Sequence, residues 1–550
     1  MDNNNSGSSS DSHSHETFPM DTETQAYYGN HGVDLRRLQL NLIRALTCLY
    51  YHVLPSPPSF VSSPGAALPP PPQPQQPQAV DRISTLPDSF LRRVVSLLPI
   101  KDGARTAALS RRWRGVWRAA PLVLAHSDLL PARRPCRSML EVSPAESMAA
   151  ADAVTRILEA HQGPIRCAHI VSCYMKHLIP GLLARWLHLL AINGVQELFL
   201  VNRPWPLNMM LPAGFFGIAT LTRLYLGAFT FPDTAALPGA IEFPHLEELG
   251  LLCVYMDNRD MDFVLARTPV LKTLCIQMNI WLTRLRIVSR SLRCLQLVGG
   301  TELDVLMEDA PRLERLIIWS SLVDNAFQRK VIKVGCAPVL GYLEPALHTL
   351  EVGNTVIKDG TRASRNTMVP SVNILALRLY FGVHNNAKTL SSFLRCFPNV
   401  KRLHLESDHK TVEPTCKLSV NFWQEGGAVK CVQSHMEVMI FCGFRGAPNE
   451  LSFLQYILES AWMLTKLVIV FSKGSFTSKA KANKKLKPLF ARKWANQDCS
   501  LVPVESAVKE GDDMFWLNSE SGSDFSIKDL FVRHPALGLE IRRSLNLEAI

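Results

Sequence analysis

The chain has 550 residues, 47% of them apolar and 19% charged, with a formal net charge of +11 from 59 basic and 48 acidic side chains. That length exceeds what one compact core serves, and the composition excludes a wholly disordered chain, so several domains or a repeat array are expected. The positive excess is mild for this length; it suits a solvated surface and does not by itself call for nucleic acid as a partner.

The thirteen cysteines form no Cys-x-x-Cys pair, and Cys253, Cys275 and Cys294 fall in apolar, strand-like segments. This is the pattern of reduced thiols in an intracellular protein, cytoplasmic, nuclear or both. Residues 1–32 are rich in Ser, Asn, Asp and His and lack the basic-then-apolar order of a signal peptide. His13 and His15 read as tail residues and not as metal ligands. Residues 33–54 predict an amphipathic helix, whose apolar part carries Arg44 and is too short to span a membrane. Residues 55–79 are a Pro/Gln/Ser linker, so residues 1–79 are expected to be mostly disordered around that helix.

Residues 80–124 change character. Pro87 suits a helix start, Asp88 suits the helix dipole, and Leu91, Val94, Val95 and Leu98 recur at three- and four-residue spacing before Pro99 ends the run. A second helix is expected near Asp102, and Trp113, Val116 and Trp117 mark a third. Three such helices in about forty residues carry more apolar surface than they can bury, which predicts a partner over part of them. Trp113 and Trp117 fit either the core of this unit or its interface, and core is the commoner place for an aromatic at helical spacing. Residues 125–194 contain one evident helix, "SPAESMAAADAVTRILEAH", and read as a helical connector.

From residue 195 one pattern returns ten times: "VQELFL" (195), "LTRLYL" (221), "LEELGL" (246), "LKTLCI" (271), "LRCLQL" (292), "LERLII" (313), "LHTLEV" (347), "ILALRL" (374), "VKRLHL" (400) and "LTKLVI" (464). The first intervals, 26, 25, 25, 21 and 21 residues, have the leucine-rich-repeat period. Fourth and sixth positions share one side of an extended strand, so neighbouring repeats stack into a parallel sheet with a continuous core. The residue between them points to the other face, which nominates Tyr225, Cys275, Gln296, Arg378 and His404 as positions that read a target. Proline precedes several strands, at Pro244, Pro269, Pro311 and Pro398. Residues 195–420 are therefore expected to form an irregular α/β solenoid, parallel strands on the concave face and helices or loops on the convex face. Residues 421–472 read as strand, glycine turn (Gly443 to Gly446), helix and strand, a cap on that array. Residues 473–550 open with a basic run to Lys493, read as a partly disordered tail or an import signal.

"LPDSFLRRVVSLLPIKDGARTAALSRRWRGVW", from Leu86 to Trp117, resembles the F-box of plant proteins, and residues 422–471 resemble the FBD region that follows leucine-rich repeats in many of them. The resemblance implies an F-box bundle that docks on the Skp-type adaptor of a cullin-based ubiquitin ligase. It implies adaptor contact at Leu86 and Pro87, with Leu91, Val94, Leu98 and Pro99 supporting it and Leu109 and Ser110 nearby. Arg111, Arg112, Arg114 and Arg118 either meet an acidic adaptor surface or stay solvated. The expected job is substrate receptor, with an unidentified target protein on the repeats. The alternative is an intracellular leucine-rich-repeat scaffold outside any ligase. The sequence contains no Gly-x-x-x-x-Gly-Lys-Ser/Thr loop, no Gly-x-Ser-x-Gly elbow and no His-Glu-x-x-His, so neither catalysis nor a cofactor is expected.

Overall fold

The computed structural model describes residues 22–30, 34–35, 54–55, 83, 85–130, 142–175, 178, 180–202, 209–237, 241–279, 281–298, 303–319, 330–334, 339–343, 348–352, 355–357, 368–379, 381, 384–407, 418–425, 427–473, 476, 479–509 and 522–529. His13, His15, the Pro/Gln linker and nearly all of the 33–54 helix lie outside the described residues. Within 1–32, where composition predicts a tail, Thr22–Asn30 forms helix α1.

The short apolar segment folds as three helices, α2 (Asp88–Val95), α3 (Ile100–Thr106) and α4 (Arg111–Ala119). Leu91, Val95, Trp113, Val116 and Ala120 make a small core of their own. Helix α3 begins ahead of Asp102: Pro99 holds the cap position, and Asp102 lies in the first turn, paired with Arg105 at 2.8 Å. No side chain caps the helix; the Pro99 carbonyl accepts the Asp102 and Gly103 amides at 2.9 Å each.

Strand β1 (Leu122–Ala125) follows at once and opens a sheet that has fourteen strands among the described residues. Its members, in spatial order, continue with β2 (Ile165–Cys173), β3 (Glu197–Asn202), β4 (Arg223–Gly227), β5 (Glu248–Leu252), β6 (Thr273–Gln277), β8 (Cys294–Val298) and β10 (Arg315–Trp319). Then come β12 (Val339–Leu343), β15 (Ile374–Leu379), β16 (Arg402–Ser407), β17 (Val438–Cys442), β18 (Lys466–Lys473) and β19 (Ser500–Lys509). Every neighbouring pair is parallel. Leu198, Leu224, Leu249, Leu274, Leu295 and Leu316 stand side by side in register, and with the apolar residue two positions on they line one buried face.

Three assignments made from the sequence change. The sheet starts at 122, so the stretch expected to be a connector carries its first units: α5 (Pro144–Ala160), β2 and α6 (Leu182–Ile192) pack into the same core. Ile165-x-x-Ala168-x-Ile170 has the repeat spacing with alanine in the leucine position, which hid it. "LHTLEV" belongs elsewhere: β13 (His348–Val352) lies in a second sheet with β7 (Arg284–Val288), β9 (Asp304–Asp309), β11 (Lys330–Val334) and the antiparallel β14 (Thr355–Ile357). The main-sheet strand in that interval is β12. The register also pairs Leu375 with Leu403, so the repeat assigned to 374 is framed from Val372.

The second sheet occupies the side where helices were expected, and for β7 and β9 repeat length explains why. From β5 to β6 the period is 25 residues and the return element is α7 (Asn258–Ala266, nine residues); from β6 to β8 and β8 to β10 it is 21, and the return elements are β7 and β9. Nine helical residues span about 14 Å and five extended residues about 16 Å. The shorter repeat therefore crosses the same layer as a strand. Leu285, Ile287, Val305 and Met307 from these strands join the main core. Each of Ala228, Cys253 and Met278, first after β4, β5 and β6, takes a left-handed conformation (φ 56°, 54° and 49°) that turns the chain off the sheet.

Towards the C-terminus come α8 (His384–Cys396), α9 (Val420–Glu425), α10 (Lys430–Ser434), α11 (Pro448–Ser460) and α12 (Lys479–Phe490). The strand, glycine turn, helix and strand expected from the sequence are β17, Gly443–Gly446, α11 and β18. They do not end the array, because β19 pairs beyond β18. The basic run is likewise no tail within 479–490: α12 buries Ala482, Leu486 and Leu489 against the core and turns Lys481, Lys484, Lys485 and Lys487 to solvent.

Candidate functional site

Within the three-helix unit the apolar residues divide into two sets. Leu91 and Val95 point inward and are buried, Leu91 completely, at 0% exposure. Leu91 is thus a core residue and not a surface contact, which corrects its place among the partner-facing positions. Leu86 (38% exposed), Phe90 (62%) and Val94 (41%) recur every fourth residue and form one apolar stripe open to solvent, with Leu109 (67%) exposed before α4. Phe90 stands outside the Leu91, Val94, Val95 and Leu98 series, so helical spacing alone does not point to it. Pro87 is exposed at the start of α2, whereas Leu98 and Pro99 are half-buried. Ser110 is exposed and caps α4, its Oγ accepting the Trp113 amide at 3.3 Å.

Among the four arginines, Arg112 is engaged within the unit: its guanidinium reaches Asp88 at 2.7 Å and donates to the Leu86 carbonyl at 2.6 Å. It therefore holds the exposed loop at Leu86 against α4. Trp113 is buried in the bundle, while Trp117 also packs on the main core. At that junction a Cβ on Gly103 would meet the Trp117 ring at 2.7 Å, and one on Gly163 would meet the Arg118 carbonyl at 2.6 Å. The His161 ring lies tilted against Trp117 (centroids 5.7 Å apart), and its Nε2 donates to the Ala120 carbonyl at 3.2 Å. Burial lowers its pKa against the raising effect of the Ala120 and Pro164 carbonyls. The unit is thus seated on the sheet through apolar and close backbone contact, with Leu86, Phe90 and Val94 left outside it.

The sheet's helix-free face carries the other candidates. Tyr225, Cys275, Gln296, Arg378 and His404 all sit there, as the alternation requires, but all are buried. Tyr225 stacks on Phe199 and its hydroxyl donates to Glu248, and burial, then that carboxylate, raise its pKa. Burial likewise pushes the Cys275 thiol up. Arg378 makes a two-toothed ion pair with Glu406 at 3.0 and 3.1 Å. An alternating ladder, Arg166, Glu197, Arg223 and Glu248, runs across β2 to β5.

Residues 522–529 cross this face. Arg315 donates to the Gly522 carbonyl at 2.7 Å, to Asp524 at 3.1 Å and to Ile527. Phe525 lies 3.6 Å from Arg293 and 4.8 Å from Arg315, ring over guanidinium. Ser523 donates to Glu248 at 3.2 Å, and Asp529 meets Arg402 at 3.1 Å and His404 at 3.2 Å. Burial raises the Asp529 pKa, but His404 and Arg402 outweigh it and hold the carboxyl below its ordinary range. Arg293, Arg315, Arg402, Phe525 and Asp529 went unnoticed in the sequence: the arginines stand outside the L-x-x-L-x-L positions, and an eight-residue crossing has no periodicity. Among the described residues no group of three metal-ligating side chains converges, and no helix is long and apolar enough to cross a membrane.

Residues 183–405 match the repeat family described as "FBD-associated F-box protein At5g56370, LRR repeats", and residues 424–469 match the FBD family. Similar proteins of Arabidopsis thaliana include FBD-associated F-box protein At5g38590, 24% identical over 404 residues that cover 71% of this chain and 94% of that one. F-box/FBD/LRR-repeat protein At5g56420 is 23% identical over 447 residues, 77% of this chain and 98% of its own length, and F-box/LRR-repeat protein 13 is 23% identical over 439 residues, 71% and 89%. Repeat and FBD matches in this order, together with relatives of the same make-up, support a plant F-box protein with leucine-rich repeats and a C-terminal FBD region.

Proposed function

We propose that this chain is a non-catalytic substrate-recognition subunit of a Skp–cullin–F-box type ubiquitin ligase, working in the cytoplasm or nucleus. The three-helix unit docks on the Skp-type adaptor and, through it, a cullin, while the long sheet holds the target protein. Acceleration then comes from proximity, since a bound target keeps its lysines near the charged ubiquitin carrier. The observation that carries the reading is the stripe of Leu86, Phe90 and Val94, exposed on a unit whose own core is complete without it. Exposed aliphatic and aromatic side chains in one row on a small domain mark a surface that another protein covers. Pro87, Leu109 and Ser110 border it; Leu91 contributes only by holding α2 in place.

The test is co-purification of the full chain with a Skp-type adaptor. The intact chain is expected to retain the adaptor and Leu86→Ala/Phe90→Ala to lose it with an unchanged circular-dichroism spectrum. An intact chain that retains no adaptor overturns the proposal.

A further inference from the structure

The helix-free face is already occupied by a segment of the same chain, and the chemistry of that occupancy is specific. Arg315 is buried and spends its guanidinium on three main-chain carbonyls of residues 522–527, a clamp that reads a turn of main chain, closed by the Ile527 amide donating to the Asp524 carbonyl at 3.2 Å, and not a side chain. On either side of the clamp stand two side-chain readers. Arg293 and Arg315 flank the Phe525 ring, and Arg402 with His404 receives the Asp529 carboxylate four residues later. Gly522 lies so close to Gln296 that a Cβ there would overlap its amide. Ser526 and Lys528, between the anchors, face solvent. Twelve residues join this segment to β19, and the segment itself adds no strand to the sheet.

We propose that this face is a receptor for a turn-forming peptide bearing an aromatic residue followed four positions later by a carboxylate, and that residues 522–529 are its internal occupant, displaced when a partner protein presents such a peptide. The inference rests on the reading of this face as the target site and names the class of target: an acidic segment with an aromatic anchor. Cationic side chains at both anchors match an anionic peptide and disfavour a basic one. A tethered occupant sits at an effective concentration on the order of millimolar, so a free peptide competes poorly until the tethered copy is weakened.

The probe is the fluorescein-labelled octapeptide Gly-Ser-Asp-Phe-Ser-Ile-Lys-Asp, followed by fluorescence polarisation on the full-length chain. Phe525→Ala/Asp529→Asn is expected to bind it at least ~10-fold more tightly than the intact chain. The same octapeptide with alanine for the phenylalanine and asparagine for the last aspartate is expected not to bind, and adding Arg315→Ala/Arg402→Ala to the variant removes binding of the first peptide. A folded variant that binds neither peptide, or both alike, overturns the proposal. Should the variant unfold, hydrogen exchange on the intact chain decides: excess octapeptide accelerates exchange at 522–529 while β8 and β10 stay protected, and unchanged exchange refutes the proposal. No adaptor enters either measurement, so failure of the ligase reading leaves this result separate.

Discussion

Ser407 Oγ donates to the Glu450 carboxylate at 2.8 Å, joining the end of β16 to the first turn of α11, while the other carboxylate oxygen accepts the Arg445 and Ala447 amides at 3.0 Å each. Glu450 is fully buried, and this pairing lets the FBD region carry a charge at the head of its helix. The neighbouring Asn449 bridges backward, accepting the Leu418 amide and donating to the Phe381 carbonyl. The region thus acts as a tie between repeats.

Replacing Glu450 by Gln puts an NH2 group among donors and removes a charge-assisted set of bonds. The expected loss is about 2–3 kcal/mol, read as a lower melting temperature and faster hydrogen exchange through α11. Ala costs more, because Ser407 and two amides then lose their acceptor.

Gly443 follows β17 with φ +73°, and a Cβ there would stand 2.6 Å from the Ser407 carbonyl. Gly427 has φ +85° with open space around it. Gly427→Ala is expected to cost about 1 kcal/mol for the left-handed backbone alone, and Gly443→Ala clearly more, because a main-chain oxygen must also move. Equal denaturation midpoints for the two variants would show that this close approach is not retained in solution.

His161 predicts a pH effect at the junction of the helical unit and the sheet. Its folded pKa lies below the ordinary value of 6.5, so the unfolded chain takes up the proton first as pH falls. Stability from this site is complete above that value, declines as pH drops below it, and levels off beneath the folded pKa. Melting temperatures at pH 7.5 and 5.5 are expected to differ less for His161→Gln than for the parent chain.

Leu91 and Phe90 are neighbours with opposite roles. Leu91→Ala opens the centre of the small core and is expected to cost about 2–5 kcal/mol, whereas Phe90→Ala removes a solvent-exposed ring and is expected to change stability by about 0.5 kcal/mol or less. Thermal unfolding of the two variants tests this division directly.

Strands with leucine at the fourth and sixth positions were legible in the sequence, because one buried face imposes a period of two and repeat stacking imposes the longer period. Where alanine replaces leucine, as at Ala168, or where a return strand imitates the pattern, as in "LHTLEV", periodicity alone misplaced the chain; only lateral pairing tells a main-sheet strand from a return strand. The positions facing the second face were correctly phased, yet their accessibility was not legible. Nothing near Tyr225 or His404 announces that Ser523 and Asp529, more than a hundred residues away, lie over the same surface. In the helical unit the spacing located α2 but set Leu91 among the partner-facing positions, where the exposed residue is its neighbour Phe90.

The stripe of Leu86, Phe90 and Val94 outside the small core is the proposed adaptor surface. Calorimetric titration of the purified full chain with a Skp-type adaptor tests it most directly. Tight binding is expected, falling by about 100-fold or more in Leu86→Ala/Phe90→Ala at an unchanged melting temperature, a loss typical of central interface anchors. Equal affinity of the intact chain and this variant would contradict it.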